Sequence, residues 1–233
     1  MIAQTGRDDK AGQYSGMRRH VSLALLVLVN AIPVVGVLFF DWDVLALMIL
    51  YWSENLVLGF YTLAKMLVKS PLGGLGMGLF FLVHYGGFCA GHGLFILAIL
   101  ADADLDLIQG DSWPLFLVFV QLLIGVIRAV LELAPPAWLL AFGALFASHG
   151  VSFVANFLVA GERDRVTLQE LMTAPYKRIM ILHVAVIAGG AAVAALGQPI
   201  GMLLVLVMLK LGVDIALHLR EHRAINSLNA LSA

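Results

Sequence analysis

The sequence predicts an all-α polytopic membrane protein: a bundle of six or seven transmembrane helices with one short interfacial helix. Three observations predict it. Of the 233 residues, 61% are hydrophobic and only 12% charged, against roughly 25% charged in a soluble domain, and the mean hydropathy is +0.97. Apolar stretches long enough to cross a hydrocarbon core of about 30 Å recur along the whole chain. Period-2 alternation, the mark of an outer-membrane barrel, is absent. A bilayer also forces each segment to pair its own backbone, so helix is the default. This composition excludes a soluble enzyme, a nucleic-acid binder and a disordered chain. A net charge of −1 supplies no basic field for nucleic acid. Cys89 is the single cysteine, so no intrachain disulfide forms.

A polar tail (1–20) precedes a transmembrane domain (21–222), and a short tail (223–233) follows. The tail is polar and the first apolar run exceeds a signal-peptide core, so that run reads as a membrane helix. The apolar stretches are 21–40, 43–67, 75–100, 113–131, 137–160, 178–197 and 199–219. Asp41-Trp42-Asp43, Ser70 to Gly74, the acidic Asp102–Asp111 loop, Pro135-Pro136, 161–177 and Gly197-Gln198-Pro199 join them. Within 161–177, Thr167-Leu168-Gln169-Glu170 is a capping box that opens a short helix at the interface. Trp42, Trp113, Trp138 and Tyr176 mark span ends, where aromatic belts sit. Glycines at 73, 74, 76, 78, 86, 87 and 91 suit close helix approach.

Charge and length disagree about topology. Arg7, Lys10, Arg18 and Arg19 put the N-terminus in the cytoplasm, and Lys65 and Lys69 agree for the second joint. Seven crossings would then leave Arg163, Arg165, Lys177, Arg178, Arg220 and Arg223 outside. Six crossings with a re-entrant or broken segment within 113–160 would return both clusters to the cytoplasm.

Ionisable groups at membrane depth are costly and tend to mark function. His84, His92, His149 and His183 lie inside apolar stretches, and His218 and His222 close the last one. Glu54, Glu132 and Asp214 add carboxylates. Asp214, His218 and His222 stand four apart, on one helix stripe. His84 and His92 are eight apart and suit two depths of one cavity. Imidazole with carboxylate fits a divalent transition metal, zinc foremost, with iron, copper and manganese as alternatives. The expected ligands are His84, His149, Asp214 and His218, with His92 and His183 next. The bland reading of each histidine is an interhelical hydrogen-bonded tie.

Glu54 is the candidate catalytic base, since an apolar site suits a carboxylate to activating water. Its alternative is a structural ion pair with a cation such as Arg128. Lys210 with Asp214 and Arg128 with Glu132 read as intrahelical pairs. No Gly-x-Ser-x-Gly, Walker, Rossmann or Cys-x-x-Cys motif occurs.

Several of these segments carry a resemblance. Tyr51-Trp52-Ser53-Glu54-Asn55, His84-Tyr85-Gly86-Gly87-Phe88, Ser148 to Phe153 with Asn156, Pro175 to Ile179 with His183, and Lys210-x3-Asp214-x3-His218 are involved. Together, from about 20 to 222, they resemble a prokaryotic family of polytopic membrane proteins known as a domain of unknown function. The resemblance implies membrane architecture and carries no activity. A looser one, confined to the site, is to the progestin and adipoQ-receptor and alkaline-ceramidase superfamily. Those seven-helix proteins hold zinc by histidines, with His-x3-His on the last helix. Here Arg220 and Glu221 set the His218/His222 pair at the membrane edge, and no early-helix Ser-x3-His is evident.

The expectation is an integral membrane metalloprotein of a prokaryotic inner membrane. If catalytic, it is a metal-dependent hydrolase of a lipid or membrane-embedded amide or ester. The alternatives are an ion, proton or metal transporter using the same cluster, a bis-histidine haem protein, and a structural protein tied by buried polar groups. Expected partners are the bilayer and a lipid or small-molecule substrate, and a homo-oligomer is allowed.

Overall fold

The computed structural model describes residues 34–101, 106–209 and 211–212. The Asp214, His218 and His222 stripe and the Lys210–Asp214 pair lie outside the described residues, as do both tails. No strand occurs among the described residues.

Helix α1 (Val44–Lys69) starts where the Asp43 carboxylate caps the amides of Leu45 and Ala46. It ends at Ser70, whose N–H reaches the Met66 carbonyl. The next residue opens α2 (Pro71–Leu100), with proline at the first turn, where its missing N–H costs nothing. One residue therefore joins two long helices. Gly74 makes this hinge possible, because any Cβ there would strike the Met66 carbonyl. The third span thus begins at Pro71, four residues before its predicted start.

Helix α3 (Leu117–Leu133) has 17 residues, which rise about 26 Å, less than a bilayer core of roughly 30 Å. A Cβ at Gly87 would lie 3.4 Å from Phe119, and one at Gly93 would meet Val126. Hence α3 runs parallel to the second half of α2. The connection before it descends antiparallel to α3. Leu107 lies on Gly125, Arg128 donates to the Gln109 side chain (3.1 Å), and Gln121 accepts from the Trp113 amide (2.8 Å) while donating to the Asp111 carbonyl (3.0 Å). The chain thus leaves α2, folds back about 20 Å beside it, and climbs again. The connection and α3 together form a hairpin whose tip, at Phe116 and Phe119, lies partway along α2. Arg128 is held by the hairpin's Gln109, and no ion pair joins it to Glu132 among the described residues.

Helix α4 (Pro136–Ser152) continues as a π-helix, Phe153–Val159. It descends beside α1, where the Tyr61 hydroxyl donates to the Phe146 carbonyl at 3.0 Å and Lys65 lies over the Phe157 ring. Gly161, at φ +74°, breaks it before the single turn Glu162–Arg165. Helix α5 (Leu168–Leu196) then ascends parallel to α2. Both halves of the predicted capping box are present at Thr167 and Glu170. The helix they open is not short, however. It runs 29 residues, through Pro175. Leu171, Pro175 and Ile179 are all buried, so one packing stripe continues across the proline and holds the helix together. Gly197, at φ +62°, ends α5, and α6 (Ile200–Leu209) folds back onto it through Met202 against Gly189.

Among the described residues, four helices are long and apolar enough to cross a membrane: α1, α2, α4 with its π-helical extension, and α5. Lysine and arginine collect mainly at one end of the bundle, with Lys65, Lys69, Arg163 and Arg165 beside Glu162 and Asp164. Asp41 and Asp43 lie at the other, as do Asp106 and Glu132, which share a small cavity with Arg128. Two apolar clusters fill the interior. One, around Trp52, Leu97, Val126, Leu182 and Met202, sits toward the acidic end. The other, around Met66, Phe81, Tyr85, Phe157 and Ile179, sits toward the basic end.

Candidate functional site: an aromatic and histidine-lined cleft

Polar groups concentrate between the two clusters. The Trp52 indole donates to the Cys89 carbonyl at 2.7 Å, lying over Gly93, where a Cβ would be 2.9 Å from the ring. The Tyr85 hydroxyl donates to the Asn55 carbonyl at 3.1 Å. These bonds lock α1 against α2 and fix the rotation of α2 about its axis.

That rotation turns one stripe of α2 toward α5 and the hairpin tip. Phe80, His84, Phe88 and His92 recur every four residues, so each ring meets the next: Phe80 stacks on His84 at 5.1 Å, and His84 meets Phe88 edge-on at 5.2 Å. The stripe is one wall of a cleft of about 630 Å³. Phe116 and Phe119 of the hairpin tip and His183, Val186 and Ile187 of α5 supply the others.

Two hydrogen bonds cross the cleft from α2 to α5. His84 Nδ1 and the Tyr176 hydroxyl are 2.8 Å apart. Deeper in, His92 Nε2 and His183 Nδ1 are 2.9 Å apart. His92 is 4% exposed, and its Nδ1 has no partner. A stranded N–H costs more than a bare ring nitrogen, so the assignment with fewest losses puts the His92 proton on Nε2. It then donates to His183 Nδ1, leaving His183 Nε2–H as a donor for whatever enters the cleft.

The other predicted site residues lie apart from this pair. Glu54 makes an ion pair with Arg178 of α5, so its partner is not Arg128. A carboxylate held this way ties α1 to α5. His149 lines a different, polar cavity on the α4 side, where its Nδ1 donates to the Leu145 carbonyl at 3.0 Å. Among the described residues, no three of histidine, cysteine, aspartate and glutamate converge on a common point. The structure therefore brings His84, His92 and His183 to one cleft and places His149 elsewhere. Tyr176 and Arg178 are the partners that sequence reasoning missed. The four-residue Phe-His-Phe-His repeat was the available signal for the cleft wall.

Residues 14–230 match a family of unknown function, DUF6498. The chain belongs to that family. No curated protein and no solved structure matches it. The family match spans every described helix, the hairpin and both cavities.

Proposed function

We propose that this integral membrane protein takes the apolar part of a lipid-derived molecule into the α2–α3–α5 cleft and holds its polar end on the His92–His183 pair. One observation carries the reading: two facing imidazoles from separate helices form a polar floor in a cleft walled by phenylalanines. An apolar pocket with a few converging polar groups is the usual form of a small-molecule site. A carbonyl or hydroxyl at the polar end would accept from His183 Nε2–H. The basic end of the bundle faces the cytoplasm under the positive-inside rule. With the hairpin read as re-entrant, a cytoplasmic N-terminus in a prokaryotic inner membrane fits that polarity.

Gly91 gives the test. It lines the cleft, and a Cβ there would meet nothing within 4 Å, so Gly91→Phe is the substitution that occupies the cleft from an uncrowded backbone position. Saturable binding of a radiolabelled fatty-acyl ester by protein in nanodiscs is expected to vanish in Gly91→Phe. It should weaken about tenfold in His183→Phe, the worth of one well-placed hydrogen bond. Equal saturable binding by all three proteins contradicts the reading.

A second reading is favoured by the facing ring nitrogens. His92 Nε2 and His183 Nδ1 come from two helices to 2.9 Å, and a pair of imidazole nitrogens is a donor set that suits zinc. His92 and His183 would hold the metal, and it would supply Lewis-acid activation of water toward an amide or ester in the cleft. His84 has its Nδ1 on Tyr176 and is not assigned to this set. His149, beside Lys65, Lys177 and Arg178, sits where cations oppose a dication. Elemental analysis decides it. Stoichiometric zinc, lost in both His92→Ala and His183→Ala, supports the metal. Metal-free wild-type protein that still binds ester removes it and leaves the first reading intact.

A further inference from the structure

The second cavity, about 670 Å³, lies on the opposite side of α5's first turns, between α1, the end of α4 and the π-helix. It opens at the basic end and reaches inward toward the Glu54–Arg178 pair. Its lining is mixed, with apolar walls, the carboxylates Glu162 and Glu170, the hydroxyls of Thr62 and Ser152, and the cations Lys65, Lys177 and Arg178.

Its two carboxylates each hold a partner, while Lys177 and Arg178 keep donors to spare. Glu162 takes Lys65 at 3.2 Å. Glu170 takes both the amide and the hydroxyl of Thr167, at 2.8 and 2.9 Å. Arg178 gives one guanidinium nitrogen to Glu54. Lys177 has no hydrogen bond or ion pair among the described residues and is exposed at the cavity's rim, free to meet an anion. A π-helix is a weaker backbone that tends to be kept at functional positions, and here it forms one wall through Phe153.

We infer that this cavity binds a phosphate group, carried by a lipid headgroup or free, with Lys177 and Arg178 as its principal donors. Basic pockets between transmembrane helices at the cytoplasmic face suit such headgroups. A guanidinium and an ammonium on successive residues, with hydroxyls of Thr62 and Ser152 opposite, give a tetrahedral oxyanion donors from three elements. The site is independent of the cleft, because none of its lining residues lines the cleft.

The test is native mass spectrometry of the intact chain with phosphatidic acid and with diacylglycerol of the same acyl chains. Phosphatidic acid should bind and diacylglycerol should not. Lys177→Gln should weaken phosphatidic acid binding about tenfold, the loss of one charge-assisted contact. Lys177→Arg should keep it, which separates lost charge from lost fold. Lys69→Gln is the control: Lys69 lies at the same end but outside the cavity and bonds the Arg163 carbonyl. Displacement of phosphatidic acid by millimolar inorganic phosphate would assign the free anion, and its persistence would assign the headgroup. Equal binding of the two lipids, or equal losses in Lys177→Gln and Lys69→Gln, overturns the proposal.

Discussion

The two cavities flank the same stretch of α5 and are built by opposite means. The cleft is made mostly by one helix. A four-residue repeat on α2 stacks ring on ring, and two histidine bonds close it against α5. The polar cavity is made by α1, α4, the π-helix, the single turn after it and α5. Tyr176, Lys177 and Arg178 show how one helix serves both. Successive residues point about 100° apart, so Tyr176 meets His84, Arg178 meets Glu54, and Lys177 lines the polar cavity. A wall drawn from one helix is rigid and leaves a trace in the sequence. A wall drawn from five segments depends on their packing and leaves little.

The first way to break this comparison is at the cleft's back wall. Gly93 and Gly91 lie two residues apart on α2, yet a Cβ at Gly93 would enter Trp52 and Val126, while one at Gly91 meets nothing. Gly93→Val is expected to cost about 3 kcal/mol, as overpacking does, and Gly91→Val close to nothing. Reversible SDS unfolding measures both, and equal losses would contradict the assigned rotation of α2.

Next in size is the tie between the cavities. Glu54→Gln leaves Arg178 without its carboxylate. Removing a partner from a buried pair costs 3–5 kcal/mol. Arg178 is 38% exposed, so solvent reduces this to about 1–2 kcal/mol. The same unfolding assay should show it. A variant as stable as wild type but devoid of ester turnover would make Glu54 a catalytic base.

The smallest expected effect is at the mouth of the polar cavity. Lys65 and Glu162 are both partly exposed, so Glu162→Gln should shift stability by less than about 1 kcal/mol. A larger loss would mean that the turn 162–165 organises the cavity as a whole.

Much of the bundle was legible in the sequence because long apolar runs with capping signals have few other fates. Asp43, Pro71, the Thr167–Glu170 box and Gly197 each begin or end a helix. The hairpin was legible only as a conflict. The apolar length of 113–131 argued for a crossing, and the positions of Arg163, Arg165, Lys177 and Arg178 argued against one more. Local pattern could not resolve it, because α3 has the composition of a crossing and its course beside α2 is set by contacts distant in sequence. What holds the hairpin is Gln121 and Arg128 bonding the descending strand of chain, and such long-range polar contacts have no spacing to read. The site was legible in part. His92 and His183 stood among the expected ligands, but 91 residues separate them, and nothing local says that they touch. His149 looked equivalent to them and faces another cavity, because it rides on α4, which packs on the far side of α1.

The most direct test of the central claim is photo-crosslinking with a diazirine-bearing fatty-acyl ester in nanodiscs, mapped by peptide mass spectrometry. The account predicts saturable labelling confined to α2 from Phe80 to Phe95, the hairpin tip at Phe116 and Phe119, and α5 near His183, all abolished by Gly91→Phe. Labelling that spreads over exposed α4 positions such as Leu139, Leu140 and Val151, and that Gly91→Phe leaves unchanged, would contradict it.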